Sequence, residues 1–190
     1  MVDYYRLVYS EDDGIENFIM INDYDLKGFD YRKLWRGQII DNWQDNIELF
    51  YEKEGELLDY TPNVLSWLIL SDEVISVFNE LDIRQFQAFS VKLSNKFKKD
   101  KSKFSNVINI TCDKSVLNWE KSDLVIWDDD PKYIKAIRNL VMDSSKLDGL
   151  PDIFRLSESK NYIIVSEQFK KKIEEKGLTG FQFLEIKIEK

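Results

Sequence analysis

The sequence contains no histidine and only one cysteine, Cys112. Without histidine, the chain cannot form a Ser-His or Cys-His nucleophile pair, an imidazole proton relay or a zinc site with histidine ligands. A single cysteine excludes an internal disulfide and a thiolate metal cluster, and it favours a reducing compartment. Any catalysis would have to use carboxylates, lysine, tyrosine or a bound metal ion. The composition therefore lowers the expectation of an enzyme.

Glycine and proline are also scarce, with seven and three residues respectively among 190. The glycines are too scattered to build a phosphate-binding loop or a dinucleotide fingerprint, and no nucleophile elbow is present. The sequence has no apolar run long enough to predict a membrane-spanning helix. Its first residues lack the basic start and apolar stretch of a secretory signal. We therefore expect a cytoplasmic protein without a membrane partner.

Acidic residues outnumber basic ones, 35 to 27, and the formal net charge is −8. This balance argues against nucleic acid as a partner, because phosphate binding requires a basic face. It suits a basic protein partner, since complementary charge speeds and selects association. Alternatively, the acidity serves only to keep the chain soluble. The aromatic residues include five tryptophans, most of which we expect in the core.

One segment of the chain occurs twice. At an offset of 95 residues, Ser71–Leu93 aligns without a gap with Ser166–Ile188. Each copy predicts an entering strand, a capping serine, an amphipathic helix and an exit strand. We therefore predict an α+β fold, a mostly antiparallel sheet with two principal helices, in which the strand–helix–strand unit is repeated in two lobes. The N-terminal lobe comprises residues 1–94 and the C-terminal lobe residues 95–190, tightly packed or forming one compact domain.

An acidic cluster at Asp128–Asp130 is followed directly by Pro131. Carboxylates are the ligands that Mg²⁺ and Ca²⁺ prefer, but adjacent residues point in different directions and the spacing of a calcium loop is absent. We therefore predict no metal site. Instead, Asp130 is interpreted as a cap, with the proline opening a turn or helix through Lys132–Arg138. Ile137–Met142 fits either a continued helix or a buried strand.

A series of short motifs runs through the second half of the chain. In order, these are Asn106–Thr111, Leu117-Asn118-Trp119-Glu120-Lys121-Ser122, Ile153-Phe154-Arg155-Leu156, a strand ending in Ser166, and Gly177-Leu178-Thr179-Gly180-Phe181. Together with Trp35-Arg36-Gly37 upstream, the series resembles the DUF1629 proteins, also called the immunity protein 11 family of bacterial polymorphic toxin systems. One residue departs from the family pattern, because Asn118 stands where an aspartate is usual. Either a shared site has lost its carboxylate, or asparagine replaces aspartate in a turn.

The resemblance implies an inhibitor and not a catalyst. Such a protein is a cytoplasmic immunity protein that binds a cognate toxin and neutralises it by protein–protein contact, with no catalytic residues, cofactor or metal. Two alternatives stay open: a carboxylate-based enzyme that binds a small ligand or a metal, and a structural adaptor of a secretion apparatus. Acidic residues can occupy a basic toxin cleft, and the candidate contacts are Glu11, Asp12, Asp13, Asp128, Asp129 and Asp130.

Overall fold

The computed structural model of the chain describes residues 3–10, 14–98, 102–127 and 130–190, with the backbone alone for residues 130–132. Strands dominate these residues, and most of the strand pairs are antiparallel. The predicted α+β class is therefore confirmed.

The described helices are few and short. None of them combines the length and the apolar character that a membrane crossing would need. The α-helices are α1 (Arg32–Trp35), α2 (Asp72–Glu80) and α3 (Glu167–Glu175). The strands are β1 (Tyr4–Tyr9), β2 (Ile21–Asp25), β3 (Glu48–Tyr51), β4 (Leu68–Leu70), β5 (Phe86–Asn95), β6 (Ser102–Ile110), β7 (Asp113–Lys114), β8 (Asp123–Trp127), β9 (Asp130–Asn139), β10 (Val141–Asp143), β11 (Ile153–Leu156), β12 (Ser159–Ser166), β13 (Phe181–Glu185) and β14 (Lys187–Glu189).

Within the described residues, most strands belong to two five-stranded sheets. The first sheet has the order β13-β1-β12-β11-β7, and the second has the order β2-β3-β5-β6-β4. The remaining strands form two-stranded ribbons, β8 with β9 and β10 with β14. The central strands are rich in β-branched and aromatic residues, which suit a pleated surface that is buried on at least one face.

The two copies of the repeated segment have the same local topology. They correspond to β4-α2-β5 and to β12-α3-β13. In each copy the entry and exit strands flank a third strand that is antiparallel to both of them. This third strand is β6 in the N-terminal copy and β1 in the C-terminal copy, so each half of the chain donates a strand to the sheet of the other.

Both long helices begin directly after the serine that was predicted as their cap. The Ser166 hydroxyl accepts a hydrogen bond from the backbone N–H of Phe169 at 3.1 Å and donates one to the Asp152 carboxylate. The Ser71 hydroxyl makes no bond to its own helix and instead donates to Asp59 Oδ1 at 2.6 Å. Ser166 is therefore a side-chain cap as predicted, whereas the Ser71 hydroxyl links the start of α2 to the segment that contains Asp59.

A single apolar cluster lies between the two sheets and includes both long helices. The apolar residues of each helix recur at helical spacing, so they share one buried face. The rings of Phe78 in α2 and Phe169 in α3 have their centroids 5.9 Å apart. At the edge of this contact, Lys176 Nζ lies 2.8 Å from Glu80 Oε1. Strands β1, β4, β6, β11 and β12 supply the other walls, so the two sheets share one core.

The segment after the acidic cluster is a strand, and the turn or helix predicted through Lys132–Arg138 is wrong. β9 begins at Asp130 and pairs with β8, so no helix follows a cap at this position. The helix prediction relied on the helical spacing of Tyr133 and Ile137. It failed because cross-strand pairing outweighs the modest helix propensity of aromatic and β-branched residues. Ile137–Met142, which fitted either structure, is also mostly strand, since it spans the end of β9 and the start of β10.

Candidate protein interface

Strands β8 and β9 form a hairpin that pairs with no other strand in the described part of the chain. Its base is held by hydrogen bonds. The Ser122 hydroxyl, just before β8, accepts from the backbone N–H of Val141 at 3.0 Å and donates to the carbonyl of the same residue at 3.2 Å. The Tyr162 hydroxyl donates to the Ile137 carbonyl at 3.1 Å. The hairpin is therefore attached to β10 and β12 while its two strands pair only with each other.

The hairpin has a packed side and an exposed end. Leu124 and Ile134 pack against the core cluster under the first sheet. Ile126, Trp127 and Tyr133 are instead 43%, 50% and 66% exposed. We call these three residues the exposed hairpin end. Ile126 and Trp127 form the last two pairs of the ladder before the strands are joined, and Tyr133 lies in β9 between their partners Ile134 and Asp130.

The chemistry of the exposed hairpin end suits contact with a protein. Lys135 Nζ lies 5.1 Å from the centroid of the Trp127 ring, a cation–π contact that orients the indole. Tryptophan and tyrosine are the side chains that most often dominate binding energy at interfaces, because each buries a large apolar surface and carries a polar atom. Several large exposed apolar groups close together are a typical sign of an interaction surface.

The acidic residues predicted as contacts adjoin this end in the sequence. β8 ends at Trp127, which pairs with Asp130 at the start of β9. For Asp130 the structure describes the backbone alone. No cluster of three or more possible metal ligands occurs among the residues whose side chains are described. The other predicted contacts lie outside the described residues: Glu11, Asp12, Asp13, Asp128 and Asp129.

The exposed hairpin end is not predicted from the sequence, because most of the tryptophans are expected in the core. That expectation holds for Trp67, which is buried, and for Trp35 and Trp43, which are partly buried. Trp119 and Trp127 are instead about half exposed, at 45% and 50%. A usable signal was present, since an apolar run that stops at three consecutive aspartates and a proline is typical of a strand reaching an exposed connection.

Asn118, at which the sequence departs from the pattern of the family that it resembles, lies in a turn that leads into the hairpin. Its Oδ1 accepts hydrogen bonds from the backbone N–H groups of Glu120 and Lys121, both at 3.2 Å. Its Nδ2 donates to the Glu189 carbonyl at 3.4 Å. An aspartate could accept the same two backbone bonds. The geometry therefore supports replacement of aspartate within a turn.

Comparison with known protein families identifies a relationship over most of the chain. A family model described as an immunity protein family (Imm11) matches residues 7–188, which is nearly the whole chain. No curated protein matches the sequence.

Proposed function

Because the chain belongs to the Imm11 immunity protein family, we propose that it binds a cognate toxin domain in the cytoplasm and neutralises it without catalysis. The family match over residues 7–188 carries this proposal. The absence of histidine from the sequence supports a role in binding, because the commonest general acid–base group in enzymes is missing. An excess of acidic residues supports a partner with a basic surface.

We propose that the exposed hairpin end is the principal contact with the toxin. Trp127 and Tyr133 are the aromatic anchors, and both are exposed in the free protein. Asp128–Asp130 follow Trp127 directly in the sequence and supply negative charge beside these anchors. Aromatic anchors flanked by charge combine apolar burial with electrostatic steering, which together favour tight and rapid association. Glu11–Asp13 form a second proposed acidic contact.

Co-expression with the product of the neighbouring toxin gene tests the proposal. We expect the two proteins to elute together in size-exclusion chromatography, and we expect cells that make both proteins to grow. A toxin that elutes separately and still stops growth would contradict the proposal. Expression of the toxin with an unrelated acidic protein is the control for nonspecific charge effects.

We also propose that the two strand–helix–strand units are copies of one ancestral unit that build two lobes, residues 1–94 and 95–190. Their shared topology supports this, because both copies place the entry and exit strands around an antiparallel third strand. Each third strand comes from the other half of the chain, so the lobes would be interlocked and would not be separable bodies.

A further inference from the structure

The connections that follow the two long helices have the same backbone form at both ends. Each begins with a residue in the left-handed conformation, Asp82 after α2 with φ of 53° and Gly177 after α3 with φ of 63°. These positions are equivalent in the repeat. At the other end, the carbonyls of Gln85 and Gly180 each accept a hydrogen bond from the residue that follows the third strand of their unit, at 3.0 and 2.9 Å. The two connections can therefore be compared residue by residue.

The connection after α3 is bound to the other half of the chain through one residue, Thr179. The Thr179 carbonyl accepts a hydrogen bond from the backbone N–H of Tyr60 at 3.0 Å. Its own N–H and its hydroxyl both donate to Asp59 Oδ2, at 2.9 and 3.1 Å. An aspartate and the N–H of the next residue thus bind the amide, the hydroxyl and the carbonyl of a single threonine.

The same pair of groups occurs again in the other half, at Asp152 and Ile153. The N–H of Ser166 bonds the Asp152 carbonyl at 3.0 Å, as the N–H of Ser71 bonds the Asp59 carbonyl at 2.9 Å. Each serine hydroxyl also donates to the Oδ1 atom of its aspartate. Asp152 is therefore the structural equivalent of Asp59, and the N–H of Ile153 is the equivalent of the one that bonds Thr179.

The connection after α2 does not make the corresponding contact. Arg84 stands at the position equivalent to Thr179, and its side chain is 71% exposed and pairs with Asp82 at 2.6 Å. Among the described residues, none donates a hydrogen bond to Asp152 Oδ2. The carboxylate oxygen that binds threonine in one copy is therefore free to accept in the other.

The N–H of Ile153 is a second available group. The N–H of Arg155, two residues along β11, points away from β12 and bonds the Cys112 carbonyl at 2.9 Å. Since alternate residues of a strand direct their N–H groups to the same edge, the N–H of Ile153 also points away from β12. No acceptor for it lies in the described part of the chain, and a backbone donor without a partner costs free energy.

A cleft of about 400 Å³ lies where the missing contact would be. We call it the Asp152 cleft. Its lining consists of residues 81–85 of the connection after α2, Lys114, Gly149 and residues 151–153. The cleft is therefore bounded on one side by the connection that does not dock and on the other by the two groups that it would have bound.

We propose that the Asp152 cleft binds a threonine- or serine-bearing segment of the toxin, in the way that Thr179 is bound on the other side of the molecule. The hydroxyl and N–H of that residue donate to Asp152 Oδ2, and its carbonyl accepts from the N–H of Ile153. Hydrogen bonds to a carboxylate are among the stronger ones in proteins, and main-chain bonds to a free strand edge are a common mode of peptide recognition. The identity of the partner rests on the proposed function, whereas the chemistry of the site rests on the Thr179 contact.

A peptide with the sequence of residues 177–182 tests the chemistry of the cleft in the free, full-length protein. We expect it to cause a saturable downfield shift of the Ile153 amide proton in ¹H–¹⁵N spectra, since that N–H gains an acceptor. The amide of Tyr60 is the internal control, because it already bonds Thr179. A peptide with alanine in place of the threonine should bind about tenfold more weakly, the effect of losing one charge-assisted hydrogen bond. An Ile153 amide that does not shift, or that responds equally to both peptides, would overturn the proposal.

Asp152→Asn locates the site. Asparagine keeps Oδ1 for the Ser166 hydroxyl but replaces the accepting Oδ2 with an N–H donor, so we expect about tenfold weaker binding of the threonine peptide. Asp148→Asn is the matched control, because Asp148 is exposed and does not line the cleft. Peptide binding that is the same in both variants would overturn the proposal. The comparison of the two peptides needs no variant, so it decides the question even if Asp152→Asn unfolds.

Calorimetric titration with the toxin domain tests the identity of the partner. We expect Asp152→Asn to weaken toxin binding about tenfold relative to Asp148→Asn, with an unchanged Tm. A toxin that binds both variants equally would show that it does not use the cleft and would overturn this inference alone. A toxin that does not bind the intact protein would contradict the proposed function, whereas the peptide titration would still measure the cleft.

Discussion

Gln87 and Gln182 occupy the same position of the two repeated segments, yet their surroundings differ. The Gln87 amide accepts from the Ile40 backbone N–H and donates to the Ile40 carbonyl, both at 3.0 Å. It also accepts from Asn109 Nδ2 at 3.0 Å. Gln182 is exposed. Equivalent positions of the repeat therefore have different structural roles, because only Gln87 is seen to hydrogen-bond the distant segment around Ile40.

Substitution of these two glutamines tests that difference. Gln87→Ala leaves the two backbone groups of Ile40 and the Asn109 amide without their partner, so we expect a loss of about 1–3 kcal/mol in the free energy of unfolding. Gln182→Ala is the matched control and should change it by less than about 0.5 kcal/mol. Urea denaturation of both variants gives the comparison. Equal effects would mean that the Gln87 hydrogen bonds contribute nothing.

Gly180 shows how a motif residue that was read from the sequence serves the fold. Its φ is +85°, in the left-handed region, and an added Cβ would collide with the Tyr60 carbonyl oxygen. The terminal glycine motif of the family is thus explained by backbone approach and not by chemistry. The glycine is visible in the sequence, but its contact with Tyr60 was not predictable, because Tyr60 lies 120 residues away in the chain.

At the scale of elements, local signals predicted the two long helices. Capping serines and apolar residues at helical spacing act within a few residues, and α2 and α3 begin where these signals indicated. The β8–β9 hairpin was not predicted, because its strands are stabilised by cross-strand pairing that no single segment reveals. Its exposed end, which is the candidate interface, was therefore also missed.

The contact between α2 and α3 tests whether the two repeated units share a core. Phe78 and Phe169 are fully buried and their rings are in contact, so Phe78→Leu and Phe169→Leu should not act independently. We expect a coupling free energy of about 0.5–1.5 kcal/mol from a double-mutant cycle in urea.

The control for this cycle pairs Phe78→Leu with Phe154→Leu. Phe154 belongs to a different apolar cluster, and effects of separate sites add within about 0.5 kcal/mol. Additive effects of Phe78→Leu and Phe169→Leu would show that the two helices are energetically separate, which would contradict a shared core.

At the scale of the whole molecule, the two halves of the chain are interlocked. β1 of the first half lies between β12 and β13, and β6 of the second half lies between β4 and β5. The repeat predicted similar units, but not this exchange, since strand order depends on contacts between distant segments.

Fragments 1–94 and 95–190 test the interlocking. Each fragment alone lacks the strand that lies between the entry and exit strands of its own repeated unit, so we expect neither to show a cooperative thermal transition. Mixed in equal amounts, they should regain the circular dichroism spectrum of the intact chain. Fragments that fold cooperatively alone and do not associate would contradict the interlocked arrangement.

The central claim is that the exposed hairpin end binds the toxin. It is tested most directly by calorimetric titration of the cognate toxin domain with the intact protein and with the double variant Trp127→Ser, Tyr133→Ser. Phe104→Ser is the matched control, because Phe104 is 67% exposed and Tyr133 is 66% exposed. We expect the double variant to keep its Tm but to lose at least about 2 kcal/mol of binding free energy, whereas the control binds normally. Wild-type affinity in the double variant would contradict the central claim.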